Sequence, residues 1–305
     1  MSVTATRTRL GFLGLGWVGR SRLEAIEAAG VAEIAAVADP ALPDAVDTLD
    51  ELLQHDLDGV VIATPSALHA EQACAALERG LAVFCQKPLG RTAAETRTVV
   101  EAARAADRLL GVDMSYRFVE AFRTAREVVR SGDLGEILGA ELVFHNAYGP
   151  DKPWFYDPHL AGGGCVVDLG VHLVDLAVWT LDLEPAAVAS RLRGVPVEQY
   201  ATAELDHVRV ACSWNLHAGR DAVIGASFYG TEGAVSVTNV EGSFYDFRCE
   251  RMHGTSREVL VEPPDDWPGR AAAAWARRVA AGERFDPAAE EHVRVAAILD
   301  RIYGR

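Results

Sequence analysis

The chain contains no C-x-x-C pair, no run of basic residues and no apolar stretch approaching the length of a membrane-spanning helix. Each absence excludes something. The five cysteines, at 74, 85, 165, 212 and 249, are odd in number and far apart. They read as reduced, mostly buried thiols rather than a disulfide frame or a zinc site, and no metal is expected. With 29 basic residues against 44 acidic ones the formal charge is −15. Such a chain repels nucleic acid and anionic membrane, so neither is expected as a partner. The N-terminus lacks the apolar core of a signal peptide, and a cytoplasmic protein is expected. No repeat period is present, and no low-complexity tract beyond Ala-rich helical segments.

What is present starts at residues 10–19, LGFLGLGWVG. The apolar run Leu10–Leu13 reads as a short buried strand. It ends in Gly14-x-Gly16-x-x-Gly19, with Trp17 and Val18 inside the spacing, and a helical pattern follows from Arg20 to Ala29. Gly14 lets the chain turn tightly off the strand. Gly16 has no Cβ, so a pyrophosphate can approach the backbone, and Gly19 lets the new helix pack closely. The helix N-terminus then offers N–H groups and the positive end of its dipole. A second apolar run, Ala32–Ala38, ends at Asp39, twenty residues after Gly19. A dinucleotide-binding unit keeps an acid there for the adenosine ribose. Asp39 would repel a 2′-phosphate, and Pro40, Ala41 and Leu42 supply no arginine to neutralise one, so NAD is preferred over NADP.

The residues up to 113 continue the alternation. A short helix falls around Leu49–Gln54, then strand Leu57–Thr64, helix Leu68–Arg79, strand Leu81–Cys85, helix Ala93–Ala106 and strand Leu109–Asp113. This is an α/β Rossmann pattern, a doubly wound parallel sheet over residues 1–113, with its ligand edge at the carboxyl ends of the strands. After 113 the pattern changes. A helix at Glu120–Ser131 and a strand at Ile137–Asn146 precede an aromatic, Pro-containing loop at Ala147–Leu160. Gly162-Gly163-Gly164 opens a helix from Val166 to Leu181, and alternating runs fill Ala186–Val261 before a last helix at Ala288–Ile302. Residues 114–305 therefore read as an α+β domain with an open, mainly antiparallel sheet. Such a sheet needs its outer face covered, which suggests a homodimer or homotetramer.

Thr64-Pro65-Ser66-Ala67-Leu68-His69, Gln86-Lys87-Pro88-Leu89, Gly162–Asp175 and Gly230-Thr231-Glu232-Gly233 resemble motifs of the glucose–fructose oxidoreductase / inositol dehydrogenase / rhizopine-catabolism (Gfo/Idh/MocA) family. The resemblance covers almost the whole chain. It implies an NAD(P)-binding Rossmann domain, an oligomerising second domain, and hydride transfer at a carbinol or ketone carbon of a sugar, cyclitol or related polyol. The same fold also carries a non-enzymatic regulator and NAD-dependent glycosidases, which stand as alternatives. The chain departs from the pattern in having Gln86 where the family has Glu before Lys-Pro, and in a short segment between Asp39 and Val60. The resemblance also implies a cis Lys87-Pro88 bond.

Lys87 sits just past a strand end and can hold a substrate oxygen or steady a developing alkoxide. A neutral Gln86 removes a possible negative neighbour from it, which favours the neutral amine. Asp168, His172 and Asp175 are spaced i, i+4, i+7 and are expected on one helix face. His172 suits the general base that takes the hydroxyl proton, and Asp168 can orient the imidazole. Asp175 is a candidate hydrogen-bond partner for a neighbouring substrate hydroxyl. The glycine run upstream permits close approach of backbone to a ligand. Thr64, Pro65, Ser66, His69, Gln86 and Lys87 are expected on the cofactor side, and Tyr116, Arg117 and Trp154 near the substrate, where aromatic faces suit sugar rings.

Overall fold

Largely apolar strands separated by helices, three of them of 13–14 residues, build the N-terminal part of the molecule. The structure is a computed structural model that describes residues 7–305. Strands β1 (Thr8–Leu13), β2 (Ala32–Ala38), β3 (Gly59–Ile62), β4 (Ala82–Cys85) and β5 (Leu110–Val112) form one parallel sheet in the order β2-β1-β3-β4-β5. Helices α1 (Trp17–Ala29), α2 (Leu49–Leu52), α3 (Ser66–Glu78) and α4 (Ala93–Ala106) alternate with them. β3 and β4 are buried at every position, as strands covered on both faces must be. The short segment after Asp39 folds back along β2 through a Val46 bridge to Ala38, and Thr48 with Glu51 forms a capping box for α2.

The second unit takes in Arg91–Ala93, Tyr116–Trp267 and Arg294–Arg305. Helix α5 (Glu120–Ser131) leads to β6 (Ile137–Asn146), and a short helix α6 (Pro158–Ala161) precedes the helical run that ends in α7 (Val171–Leu181). Then come β7 (Val188–Arg193), β8 (Tyr200–Leu205), β9 (Val208–Ser213), β10 (Ala222–Gly230), β11 (Ala234–Asn239), β12 (Phe247–His253) and β13 (Ser256–Val261). Together with β6 they make an eight-stranded sheet, β13-β12-β11-β10-β6-β9-β8-β7, antiparallel except where β6 pairs with β9. Ala140, Leu142 and Phe144 of β6 point to the buried face, against which α5 and α7 pack. The opposite face carries a row of small side chains in register, Thr202, Ala211, Val143, Gly225 and Thr238.

Two expectations need correcting. The second unit does not run unbroken from 114 to 305: Pro268–Val293 belongs to the first unit. Helix α8 (Arg270–Ala280) lies there, ahead of α9 (Glu290–Tyr303). Its Trp275 ring lies 5.7 Å from that of Phe84 on β4. A Cβ on Gly59 or Gly111 would come within 3.0 or 2.8 Å of the Trp275 ring, so glycines on β3 and β5 make its berth. Second, the helical run Pro158–Leu181 is long and apolar enough by length and composition to cross a membrane, where none was expected. Its most apolar window is 83% buried within the fold, which makes it a core helix.

Candidate functional site

In the first unit the three glycines of the turn have three different surroundings. Gly14 has φ +87°, and a Cβ there would meet the Ala63 carbonyl oxygen at 2.7 Å. A Cβ on Gly19 would meet the Gly14 carbonyl oxygen at 2.2 Å. At Gly16 a Cβ would meet nothing within 4 Å. Gly16 is also the N-cap of α1, and no side chain caps that end. The first turn, with Trp17 and Val18, thus presents backbone N–H groups and a positive dipole end to open space. The residues present fit an anionic pyrophosphate. Asp39 is tied to the same turn: its carboxylate accepts from the Leu15 N–H at 2.7 Å and the Ala41 N–H at 2.9 Å.

The other strand ends of this unit are joined by side chains. His69 is buried, with Nε2 2.7 Å from the Thr64 carbonyl oxygen and Nδ1 2.7 Å from that of Pro88. One imidazole therefore links the Thr64-Pro65-Ser66 turn to the Lys87-Pro88 loop, whose peptide bond is cis. Burial lowers the His69 pKa, against the opposing pull of the two carbonyls. The Thr64 hydroxyl donates to Gln72 at 2.6 Å. Gln86 reaches the strand end at Asp113, donating from Nε2 to Oδ2 at 2.5 Å. Arg22 donates to the same oxygen from Nε at 2.6 Å.

In the second unit the expected helix from Val166 to Leu181 is continuous but opens with a π turn. Val166–Gly170 forms a π turn and α7 starts at Val171. Asp168 lies in the π turn, and His172 and Asp175 lie in the first two turns of α7. Asp168 accepts from the Trp214 indole N–H at 3.0 Å. The His172 ring meets the Tyr116 ring edge-on, 5.0 Å between centroids, with Phe144 at 6.3 Å. Burial pushes the Tyr116 phenol well up, and the Asp168 charge adds to this. Tyr116, Asp168 and His172 thus converge.

Asp175 and Arg117 pair with each other. Asp175 is 1% exposed, and Arg117 grips its carboxylate with Nη2 at 2.7 Å and Nε at 2.9 Å. The guanidinium also lies 5.8 Å from the Trp179 ring centre. Bidentate geometry around a buried carboxylate makes this a close ion pair. The glycine run is closely packed. A Cβ on Gly163 would meet the Tyr303 hydroxyl at 2.1 Å, and one on Gly164 the Glu198 carbonyl oxygen at 2.0 Å. The buried Glu198 carboxylate accepts from the Gly164 and Val166 N–H groups at 2.9 and 3.0 Å and from the Tyr303 hydroxyl at 2.7 Å. It caps the start of the helix that carries Asp168. Trp154 stacks on Phe155 at 3.8 Å, and Tyr156 meets Trp214 edge-on at 5.6 Å, so the aromatic loop rests on the residue that holds Asp168.

Sequence reasoning missed Arg22, Glu198 and Trp214, and it placed Asp113 at a strand end on the ligand edge without giving it a role. One signal at Lys87 is compositional. Lys87 and Lys152 are the only lysines among 29 basic residues, so an amine persists at 87 in a chain that otherwise uses arginine.

Two family models match. Residues 8–114 match an oxidoreductase family with an NAD-binding Rossmann fold, and 122–236 match the GFO/IDH/MocA C-terminal domain. The chain is 34% identical over 206 residues to a 1,5-anhydro-D-fructose reductase of Ensifer adhaerens, covering 64% of this chain and 62% of that protein. It is 31% identical over 276 residues to a D-xylose 1-dehydrogenase (NADP(+)) of Haloferax volcanii, covering 85% and 81%. The chain spans about three fifths of the length of the first relatives it matches. Among solved structures, levoglucosan dehydrogenase in complex with NADH has the same fold, with TM-score 0.86 at 21% identity over 98% of this chain and 96% of that one.

Proposed function

Because the chain belongs to the GFO/IDH/MocA oxidoreductase family, we propose that it catalyses NAD-dependent hydride transfer at a carbinol or ketone carbon of a sugar, cyclitol or related polyol. The observation that carries this reading is the glycine turn: an uncapped 13-residue helix beside open space at Gly16, with Asp39 held against it. A bound nicotinamide dinucleotide supplies the carbon that accepts or donates hydride. The protein's part is placement and proton handling. His172 takes the hydroxyl proton when a carbinol is oxidised and returns it when a ketone is reduced. Asp168, steadied by the Trp214 indole, provides negative charge that favours the imidazolium. Lys87 steadies charge on the substrate oxygen. Tyr116 shapes the wall beside His172. Trp154 offers a half-buried aromatic surface suited to a sugar face.

Asp39 supports NAD over NADP, since the two backbone donors hold a carboxylate where a 2′-phosphate would be repelled. All five cysteines are free, and four are buried, which suits a reducing cytoplasm. The small-residue row on the outer sheet face supports a homodimer or homotetramer.

Thermal unfolding with NADH, NADPH and no ligand tests the cofactor. NADH should raise the midpoint more than NADPH, by mass action. Equal shifts would remove the NAD preference, and no shift with either would remove the dinucleotide reading. For the chemistry, His172→Ala should lose about 10²-fold or more in kcat while keeping its NADH-induced shift. A variant that turned over normally would refute the role of His172.

A further inference from the structure

The carboxyl ends of β4 and β5 and the second turn of α1 are held together by one buried charge pair. Gln86 follows β4, Asp113 follows β5, and Arg22 lies three residues beyond Gly19. Arg22 and Asp113 are 8% and 1% exposed. Asp113 Oδ2 accepts from Arg22 Nε at 2.6 Å and from Gln86 Nε2 at 2.5 Å, and Oδ1 accepts from the Ser115 hydroxyl at 2.5 Å. Arg22 Nη2 also reaches that hydroxyl at 3.1 Å. Every bond lies within the first unit.

A buried ion pair is a poor source of stability, because the desolvation of both charges offsets their attraction. This pair stands at the edge where an open α/β sheet binds its ligands. Its third member is the residue next to Lys87. We propose that Arg22, Asp113 and Gln86 are a positioning cluster that fixes the Lys87 loop to the helix of the glycine turn, with Asp113 supplying the single negative charge. Gln86 is neutral because that charge is already present. A glutamate at 86 would set an oxygen against Asp113 Oδ2, two carboxylates on one guanidinium. The isoelectric exchange, Glu at 86 with Asn at 113, keeps the shape and the charge sum. The proposal rests on the reading of Lys87 as a site residue, and it adds residues that the reading did not contain.

The test compares Gln86→Glu, Asp113→Asn and the double variant. Two readouts are used: NADH affinity by fluorescence titration, and the acetylation rate of Lys87 by acetic anhydride relative to Lys152, measured by mass spectrometry. With only two lysines in the chain, Lys152 is an internal standard. Gln86→Glu adds a negative neighbour and should lower the Lys87/Lys152 ratio about threefold or more; Asp113→Asn should raise it. Each single variant should weaken NADH binding about tenfold, and the double should return both readouts to within about threefold of the parent. Two results overturn the proposal: single variants that fold with unchanged ratios, or a double that shows the product of both single losses. If Gln86→Glu fails to fold, the double decides, a folded double with parental NADH affinity supporting the cluster and an unfolded one overturning it. If the parent itself binds no NADH, the functional reading fails, while the acetylation ratios still decide the cluster.

Discussion

At the scale of single residues, partners decided more than spacing did. Asp175 stands three positions after His172 and looks from the sequence like a second site acid. The fold gives its carboxylate to Arg117 and buries the acid. Nothing in a one-dimensional pattern distinguishes an acid that faces a ligand from one that faces an arginine 58 positions away. Removing one member leaves a buried charge without its counter-ion. Arg117→Ala should therefore cost about 3–5 kcal/mol in urea unfolding. His69 gives a prediction with a sign. Its folded pKa is lowered, chiefly by burial, so the unfolded chain takes up the proton first on acidification. Stability should be full above the ordinary histidine value of about 6.5 and should fall as the pH drops below it. In His69→Gln the midpoint should fall less steeply over the same interval. A variant with the same slope as the parent would remove His69 as the source.

At the scale of elements, the parallel strands were legible because buried strands alternate with amphipathic helices, and α4, α5 and β6 begin and end where the pattern says. The π turn at Val166–Gly170 was not legible. Its residues, Val-Val-Asp-Leu-Gly, suit an ordinary helix equally well, and the turn packs against β9. The two glycine stretches look alike in sequence but differ in their surroundings. Gly16 has an extended ψ of −175° and free space around it, conditions any residue tolerates. Gly16→Ala should leave the unliganded protein within about 0.5 kcal/mol of the parent. It should remove most of the NADH-induced rise in midpoint, because the methyl stands where the pyrophosphate is expected. Gly164→Ala should do the reverse. Its Cβ would strike the Glu198 backbone, costing about 1–3 kcal/mol or more whether or not nucleotide is present.

At the scale of the whole molecule, the two-unit organisation was visible as a change of pattern near residue 114, and the observed change falls between Ser115 and Tyr116. The return of Pro268–Val293 was not visible. Arg270–Ala280 is a short Ala-rich stretch, and only the berth of Trp275 reveals where it belongs. The outer face of the larger sheet carries the prediction for assembly. Val143 lies mid-sheet between Ala211 and Gly225. Val143→Arg should convert an oligomer to a monomer by light scattering, and a parent that is already monomeric would dismiss the interface. The path of the chain limits how the nucleotide-binding half could be isolated. The first unit is split by an insertion, so a fragment ending at residue 115 would keep all five parallel strands and lose α8. It would bare Phe84 and the glycine-lined hollow that Trp275 fills. Such a fragment should aggregate. A graft that joins residue 115 to residue 268 through a flexible spacer should give a soluble nucleotide-binding module.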